Sequence, residues 1–349
     1  QRTSSAASDV YKRQALRSSS GITLRGAGPI GTYHVDRDDG PSIQTTAELD
    51  GAVADAEVIF LTGPVHKQRT YSMVLADHLS DGQVLVIAPG RSLGALETAW
   101  LLRIGGCTAD VTIVEAQGLP FWYNEAGSVL TLTSAAPMAA ATLPSGRSET
   151  LNAIKKYLPN LVVFDSVLAS GFSDGSALVE VPTLMMGGPA LHGGAIPIPM
   201  GGKLLEENQT FASLIGSSQK TIIAKLTDER HKVAKAFGVR HLPSASEMIS
   251  TYGGSLRGDH SRPIPSQKMS KSLLRCGVIG SLVPLKSAGQ IANLKVPVTS
   301  AIITLASSIL GADVSAAGRR LEAIGIDSGD IDTARRAMDA IATGEKYGR

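Results

Sequence analysis

Between residues 57 and 116 the chain alternates short apolar runs with helical patterns, and this alternation narrows the fold more than any other feature. EVIFLT (57–62), QVLVIA (83–88) and DVTIVEA (110–116) read as buried strands. Gly63-Pro64 stops the first and Pro89-Gly90 the second. Residues 69–79 place Met73, Ala76 and Leu79 on one face, and residues 93–103 do the same with Leu93, Leu96, Trp100 and Leu101. Both spacings predict helices. Strands alternating with helices of this length predict a parallel sheet covered on both faces, with ligands bound at the loops after the strand ends.

SVLTLTS (128–134) and LVVFDSV (161–167) read as further strands, with a helix over 149–158 between them. After Pro182 helical patterns dominate. Ser218 can cap a helix over 219–237, whose stripe is Ile222, Ile223, Leu226, Val233 and Phe237, with Gly238 as its stop. Pro297 can open a helix bearing Val298, Ala301, Ile302, Leu305 and Ile309, closed by Gly311. Residues 331–343 predict another, with Ile331, Ala334, Met338 and Ile341 inward. The expected fold class is α/β plus all-α: a partial, doubly wound parallel sheet of Rossmann type, then an all-helical C-terminal domain. The expected boundaries are 15–180 and 181–349. Residues 4–14, SSAASDVYKRQ, resemble the translation of a sequencing-library adapter. Native reading is therefore expected to start near Ala15, with a first βαβ unit upstream.

The chain has 349 residues, enough for two domains, and a formal net charge of +2. That charge supplies no field to recruit nucleic acid or an acidic membrane. The longest uncharged C-terminal run, 296–312, is too short and too rich in Ser and Thr to span a bilayer. Cys107 and Cys276 are the two cysteines, which suits a reducing cytoplasm rather than a disulfide framework. Histidines and carboxylates show no metal-ligand spacing, so no metal is expected.

Gly26-Ala-Gly-Pro-Ile-Gly31 fits G-x-G-x-x-G, the pattern of a dinucleotide pyrophosphate turn. The context argues against that use. The turn should open a helix, and residues 32–41 carry no apolar stripe and break at Gly40-Pro41. Residues 22–35 are expected to be a hairpin-like excursion instead.

His192, in Met-Met-Gly-Gly-Pro-Ala-Leu-His-Gly-Gly (185–194), lies where the α/β pattern gives way to helices. An imidazole at such a seam suits acid–base work near neutral pH. The plainer reading is a hydrogen-bonded histidine in a glycine-rich loop. His66, after the Gly63-Pro64 turn, reads as a surface-loop histidine, with a place facing cofactor or substrate as the alternative. His231 reads as a solvated helix face, and Asp259-His260 as a loop pair with no specific signal.

The segment LVPLKSAGQIANLKVPVTSAIITLASSILGADVSAAGRRLEAIGI (282–326), together with TDERHKVAKAFGV (227–239), FLTGPVHKQ (60–68) and VIAPG (86–90), resembles the octopine/nopaline (opine) dehydrogenase family. The resemblance covers most of 20–343 and lies in the order and spacing of these segments. It implies a Rossmann domain plus a helical domain, NAD or NADP as cofactor, and reductive condensation of an amino acid with an α-keto acid. It also implies a small-molecule site with no nucleic acid or membrane partner, and a possible homodimer. Thr62, Pro64, Pro89 and Gly90 would line the cofactor. Gln68, Glu115 and Arg275 would face substrate, although a carboxylate at 115 could equally cap the next turn. His192 would be catalytic, matching a family Asn-Pro-x-x-His-Pro loop through Pro189 and His192 only.

The family pairs that histidine with an aspartate, and with an arginine five residues before the aspartate. Here those positions are Gly277 and Ser272. Asp259 and Asp165 stay open as replacement carboxylates. Two other readings therefore stand beside the enzyme: a cofactor-binding or scaffold descendant of the fold, and a reductase of plain 2-keto acids.

Overall fold

The computed structural model describes residues 21–36, 42–187, 210–326 and 330–343. Its larger sheet begins as the sequence leads one to expect. Strands β3 (Val58–Leu61), β4 (Val84–Ile87) and β5 (Thr112–Ala116) run parallel, with Val58 opposite Val84 and Val84 opposite Thr112. Helix α1 (Leu49–Val53) precedes them. Helices α2 (Val65–Leu75) and α3 (Gly94–Ile104) cross between the strands. Helix α2 starts four residues before the expected Arg69, because Pro64 sits extended at its N-cap with φ −64° and the helix runs on directly from it.

The sheet then stops being purely parallel. Its order is β3-β4-β5-β8-β9, where β8 is Met138–Leu143 and β9 is Leu161–Val163. β8 is antiparallel to β5 and β9 is parallel to β8. Between β5 and β8 the chain makes a hairpin rather than a helical crossover, so the returning strand arrives reversed. β8 reads MAAATL and is buried throughout. Alanine prefers helices, which hides this strand from a propensity reading. The expected strand over 161–167 keeps only its first three residues. Ser166 ends it by capping helix α5 (Val167–Ser173), its Oγ accepting from Ala169 N–H at 3.3 Å. Helix α4 (Ser148–Ile154) lies between β8 and β9, within the span expected to be helical.

Residues 128–134 do not join this sheet. They form β7 (Val129–Ser134) of a second one, ordered β2-β1-β7-β6. Here β1 is Ile22–Gly26, β2 is Gly31–Tyr33 and β6 is Phe121–Ala126. β1 and β2 are the expected hairpin, with Ile22 opposite Tyr33. Gly26, Gly28 and Gly31 all have positive φ and turn the chain from one strand to the next. Strand β2, not a helix, starts at Gly31 and pairs back on β1, so this G-x-G-x-x-G is a hairpin turn.

The helical part starts before Pro182. Helix α6 (Ser176–Met186) is continuous and holds Pro182 inside it, so a boundary between 180 and 181 falls mid-helix. Next come α7 (Ser217–Ala236), α8 (Ala245–Gly253), α9 (Gln267–Gly277), a π-turn over Val278–Leu282, α10 (Val283–Ile291), α11 (Pro297–Leu310) and α12 (Ile331–Thr343). Gly216, not Ser218, is the N-cap of α7. Gly238 and Gly311 adopt the left-handed φ expected of helix stops, +86° and +59°. One core joins the sheet helices to α12 and the end of α7, and a second packs α6, α9 and the π-turn against Val65 at the strand-end side of the sheet.

Candidate functional site

The C-terminal ends of β3, β4 and β5 share one edge of the sheet, and the helical part packs over that edge. Thr62 is exposed there and Pro64 half-buried. Gln68 is 5% exposed. Its amide donates to Gly63 and Pro89 carbonyls at 3.0 Å each, which holds the 62–64 and 88–90 loops side by side. The structure therefore brings Thr62, Pro64, Pro89 and Gly90 together, and gives Gln68 the place of a tether between their loops. Its expected place facing substrate is not what the fold provides, because its donor group is spent on backbone.

Glu115 is likewise turned inward. It is fully buried and accepts from Ala95 N–H at 2.9 Å, Ser170 Oγ–H at 2.7 Å and the Gln117 amide at 3.0 Å. Ala95 lies in the first turn of α3, so the carboxylate caps the helix, the alternative that its position left open. A Cβ on Gly90 would meet the Glu115 side chain at 2.5 Å, which is why a glycine succeeds Pro89. Burial pushes the Glu115 carboxyl up to about 7, against the pull of the bonds from Ala95 and Ser170.

Arg275 stands exposed near the end of α9. His66, exposed in the first turn of α2, has its pKa lowered by partial burial and then by the charges of Arg275, Lys67 and Arg69. Those neighbouring positive charges disfavour the protonated imidazole. Two turns of helix also meet there: a Cβ on Gly280 would approach Val65 at 2.8 Å and Arg91 at 3.1 Å.

His192 lies outside the described residues. The position expected to carry its aspartate partner is closed. A Cβ at Gly277 would stand 2.8 Å from Val181 Cγ2 and 3.2 Å from Ala177 Cβ. Gly277 lets α9 and α6 touch, and the residue that faces it is Val181. Ser272 is half-buried on the same helix. β9 runs against β3–β5, with Val163 opposite Ala140 and so level with Ala116 at the end of β5, and Asp165 follows two residues later. Asp259 and His260 pair with the backbone of Ser134, through Ser134 N–H to Asp259 O at 3.0 Å and His260 Nδ1 to Ser134 O at 3.2 Å. His231 Nε2 bonds Pro243 O at 3.0 Å.

Sequence reasoning missed the buried charges at this seam. Glu180 on α6 accepts Arg91 Nη1 at 3.0 Å on one oxygen and Arg262 Nη2 at 2.7 Å on the other. Burial raises its pKa, the two guanidinium charges outweigh that, and the net shift is downward. Glu97 repeats the pattern with Arg69 at 2.7 Å and Arg319 at 2.8 Å. Asp174 accepts Ser281 Oγ–H at 2.6 Å and Ser92 Oγ–H at 3.3 Å. The signal was available: SALVEVPTLMM has one charge in an otherwise uncharged run, and such a charge is buried with a partner or not at all.

Beside the free edge of β3 lies a groove of about 440 Å³. Leu49, Val53 and β3 make its apolar wall, and Thr62, Gly63 and Lys67 its polar end. Among the described residues no His, Cys, Asp and Glu cluster could hold a metal ion, and no helix is long and apolar enough to cross a membrane.

No protein-family model matches the chain. It is 27% identical over 332 residues to the opine dehydrogenase of Arthrobacter sp. (strain 1C), covering 91% of this chain and 87% of that one. Its fold matches octopine dehydrogenase in complex with NADH and pyruvate at a TM-score of 0.63, 16% identity, and 99% and 91% of the two chains. The complex of that enzyme with NADH and L-arginine gives 0.62 at 17% identity, over 98% and 90%.

Proposed function

As a homologue of the opine dehydrogenases, this protein is, we propose, an NAD(H)-dependent oxidoreductase that condenses an amino acid with an α-keto acid. Condensation releases water and leaves an imine, and reduction adds a hydride at carbon and a proton at nitrogen. The observation that carries this reading is sequence similarity sustained over 91% of the chain, in a fold shared along nearly its whole length.

The groove at the β3 edge fits a dinucleotide: apolar walls suit its rings, and Lys67 beside Gly63 suits a phosphate. NAD(H), when bound, supplies the hydride. Thr62, Pro64, Pro89 and Gly90 would hold it at the strand ends. Arg275 would bind the keto-acid carboxylate from α9, a charge-assisted contact. His192 would polarise the carbonyl and deliver the proton, and His66 is the imidazole next to Arg275 that could share that traffic. Following NADH absorbance with paired amino and keto acids tests the assignment. His192→Ala should lose about 10² or more in turnover, and unchanged turnover would transfer the role to His66.

A second reading is favoured by one observation. Gly277 packs on Val181, so an imidazole–aspartate pair of the family kind has no room there, and a cofactor-binding descendant without turnover is the consequence. Sustained NADH consumption by any pair removes it. We place the division between cofactor-binding and substrate-binding halves at 174–175, between α5 and α6, and the protein in the cytoplasm as a homodimer. Light scattering on the purified protein checks the last point.

A further inference from the structure

Glu180 stands where three separate stretches of chain meet. It belongs to α6. Arg91 comes after Pro89 and Gly90 in the loop that leaves β4, with a left-handed φ of +59°. Arg262 belongs to the segment between α8 and α9. Its guanidinium also donates to Tyr252 O and lies over the rings of Phe211, at 4.3 Å, and Trp122 of β6, at 5.6 Å. All three charged side chains are almost fully buried, 4%, 6% and 7% exposed for Arg91, Glu180 and Arg262.

The two arginines are not equally held. Arg262 keeps its carbonyl and two rings without Glu180. Among the described residues the Arg91 side chain has, besides Glu180, only Ser176 Oγ, and its Nε has no hydrogen-bond partner there. Glu180 therefore orients the Arg91 side chain and ties the 88–91 loop to α6, beside the backbone bonds the loop receives from Gln68, Gln117 and Arg319.

We propose that Glu180 is a positioning residue: through Arg91 and Arg262 it fixes the 88–91 loop against the helical part in the arrangement that reduction requires. The proposal rests on the opine-dehydrogenase reading of the site. Glu180 touches no substrate. Its effect reaches the reaction through the loop, and misplacing reacting groups by about 1 Å can cost on the order of 10² in rate.

Charge and position make opposite demands on the kinetics, which lets them be separated. Removing the Glu180 charge leaves two buried cations without their counter-charge, and this does not weaken the binding of an anion. Loss of alignment lowers kcat. Glu180→Gln keeps the shape and one oxygen. Expected is a fall in kcat per folded molecule of about tenfold or more, with KM for the keto acid changed by less than about threefold. A lowered Tm with kcat within about twofold of wild type means a purely structural part and overturns the proposal. If Glu180→Gln does not fold, Arg262→Lys, which keeps the charge, should show the same split. If wild type turns over no amino acid and keto acid pair, the functional reading has failed. Hydrogen exchange then decides the positioning claim by itself. Protection lost in 88–93 and 254–264 but kept in β5 and α7 supports it, and a uniform loss overturns it.

Discussion

The bridge centred on Glu97 and the bridge centred on Glu180 have the same composition, one carboxylate between two arginines, and differ in what else holds the arginines. Arg319, in the first, donates also to the carbonyls of Gly280 at 3.0 Å, Ser92 and Gly90. Arg69 donates to Ala317 O at 2.6 Å. Both keep these fixings when Glu97 is removed. Without Glu180 the Arg91 guanidinium keeps, among the described residues, Ser176 Oγ and no backbone carbonyl. The first bridge is thus a clamp with redundant fixings, and the second a joint that depends on its carboxylate. The bridges also differ in burial, Arg69 being 25% exposed and Arg91 4%, and the backbone contacts separate their parts further.

The largest expected effect is on stability. Glu97→Ala leaves Arg319, 2% exposed, without its counter-charge and should cost about 3–5 kcal/mol in urea unfolding. Glu180→Ala should cost about as much. The comparison breaks if Glu97→Gln lowers kcat as far as Glu180→Gln does.

Next comes Glu115, a buried carboxylate of the same seam whose hydrogen-bond donors are all neutral. Its folded pKa is about 7, above the ordinary value of 4.5. The folded state holds the proton more tightly, so this contribution is complete below about 4.5 and is lost as pH rises through about 7. The loss is on the order of 3 kcal/mol. Unfolding midpoints at pH 5 and pH 8 check it: wild type should lose more stability between them than Glu115→Gln, and equal losses would contradict it.

Gly277→Ala should cost about 1–3 kcal/mol by overpacking against Val181. An unchanged Tm would mean that α6 and α9 can separate freely. The smallest effect is expected at Arg69, whose side chain is 25% exposed. Arg69→Ala should cost about 1 kcal/mol or less, well below Arg319→Ala, and equal costs would mean the two arms of the Glu97 clamp do not differ.

Much of the fold was legible where burial and period agreed. β4, β5, α3 and α12 each carry an apolar pattern of the right period, and Gly238 and Gly311 sit at real stops. For α11 the helix was legible but its inward face was not: Thr299, Ile302, Ile303 and Ala306 are buried, and Leu305 and Ile309 of the expected stripe are exposed. The Gly26–Gly31 turn was legible from the stripe-free residues 32–41 beyond it, which cannot make the helix that a pyrophosphate turn opens. β8 was not, because three successive alanines look helical and only the two-sided packing of the sheet makes them a strand. β6, reading FWYNEA, pairs with β7 through a two-residue turn at Gly127-Ser128, and it is the parallel pairing of β7 with β1, about a hundred residues earlier, that no local pattern encodes. At the site, strand-end position correctly placed Thr62, Pro64, Pro89 and Gly90 in one neighbourhood. Gln68, expected from the resemblance to face substrate, turns inward to backbone carbonyls, and Glu115 takes the helix-capping alternative that its strand-end position left open. The arginine bridges were illegible as pairs, since their members lie 28 to 222 residues apart.

The central claim is reductive condensation, and NADH consumption with and without amine tests it most directly. The purified chain would be given NADH and pyruvate, then the same with L-arginine or another amino acid added. Reductive condensation predicts consumption that requires both partners and yields a secondary amine dicarboxylate detectable by mass. Consumption independent of the amine would make the protein a 2-keto acid reductase, and none with any pair would make it a fold without the reaction. Either result contradicts the claim.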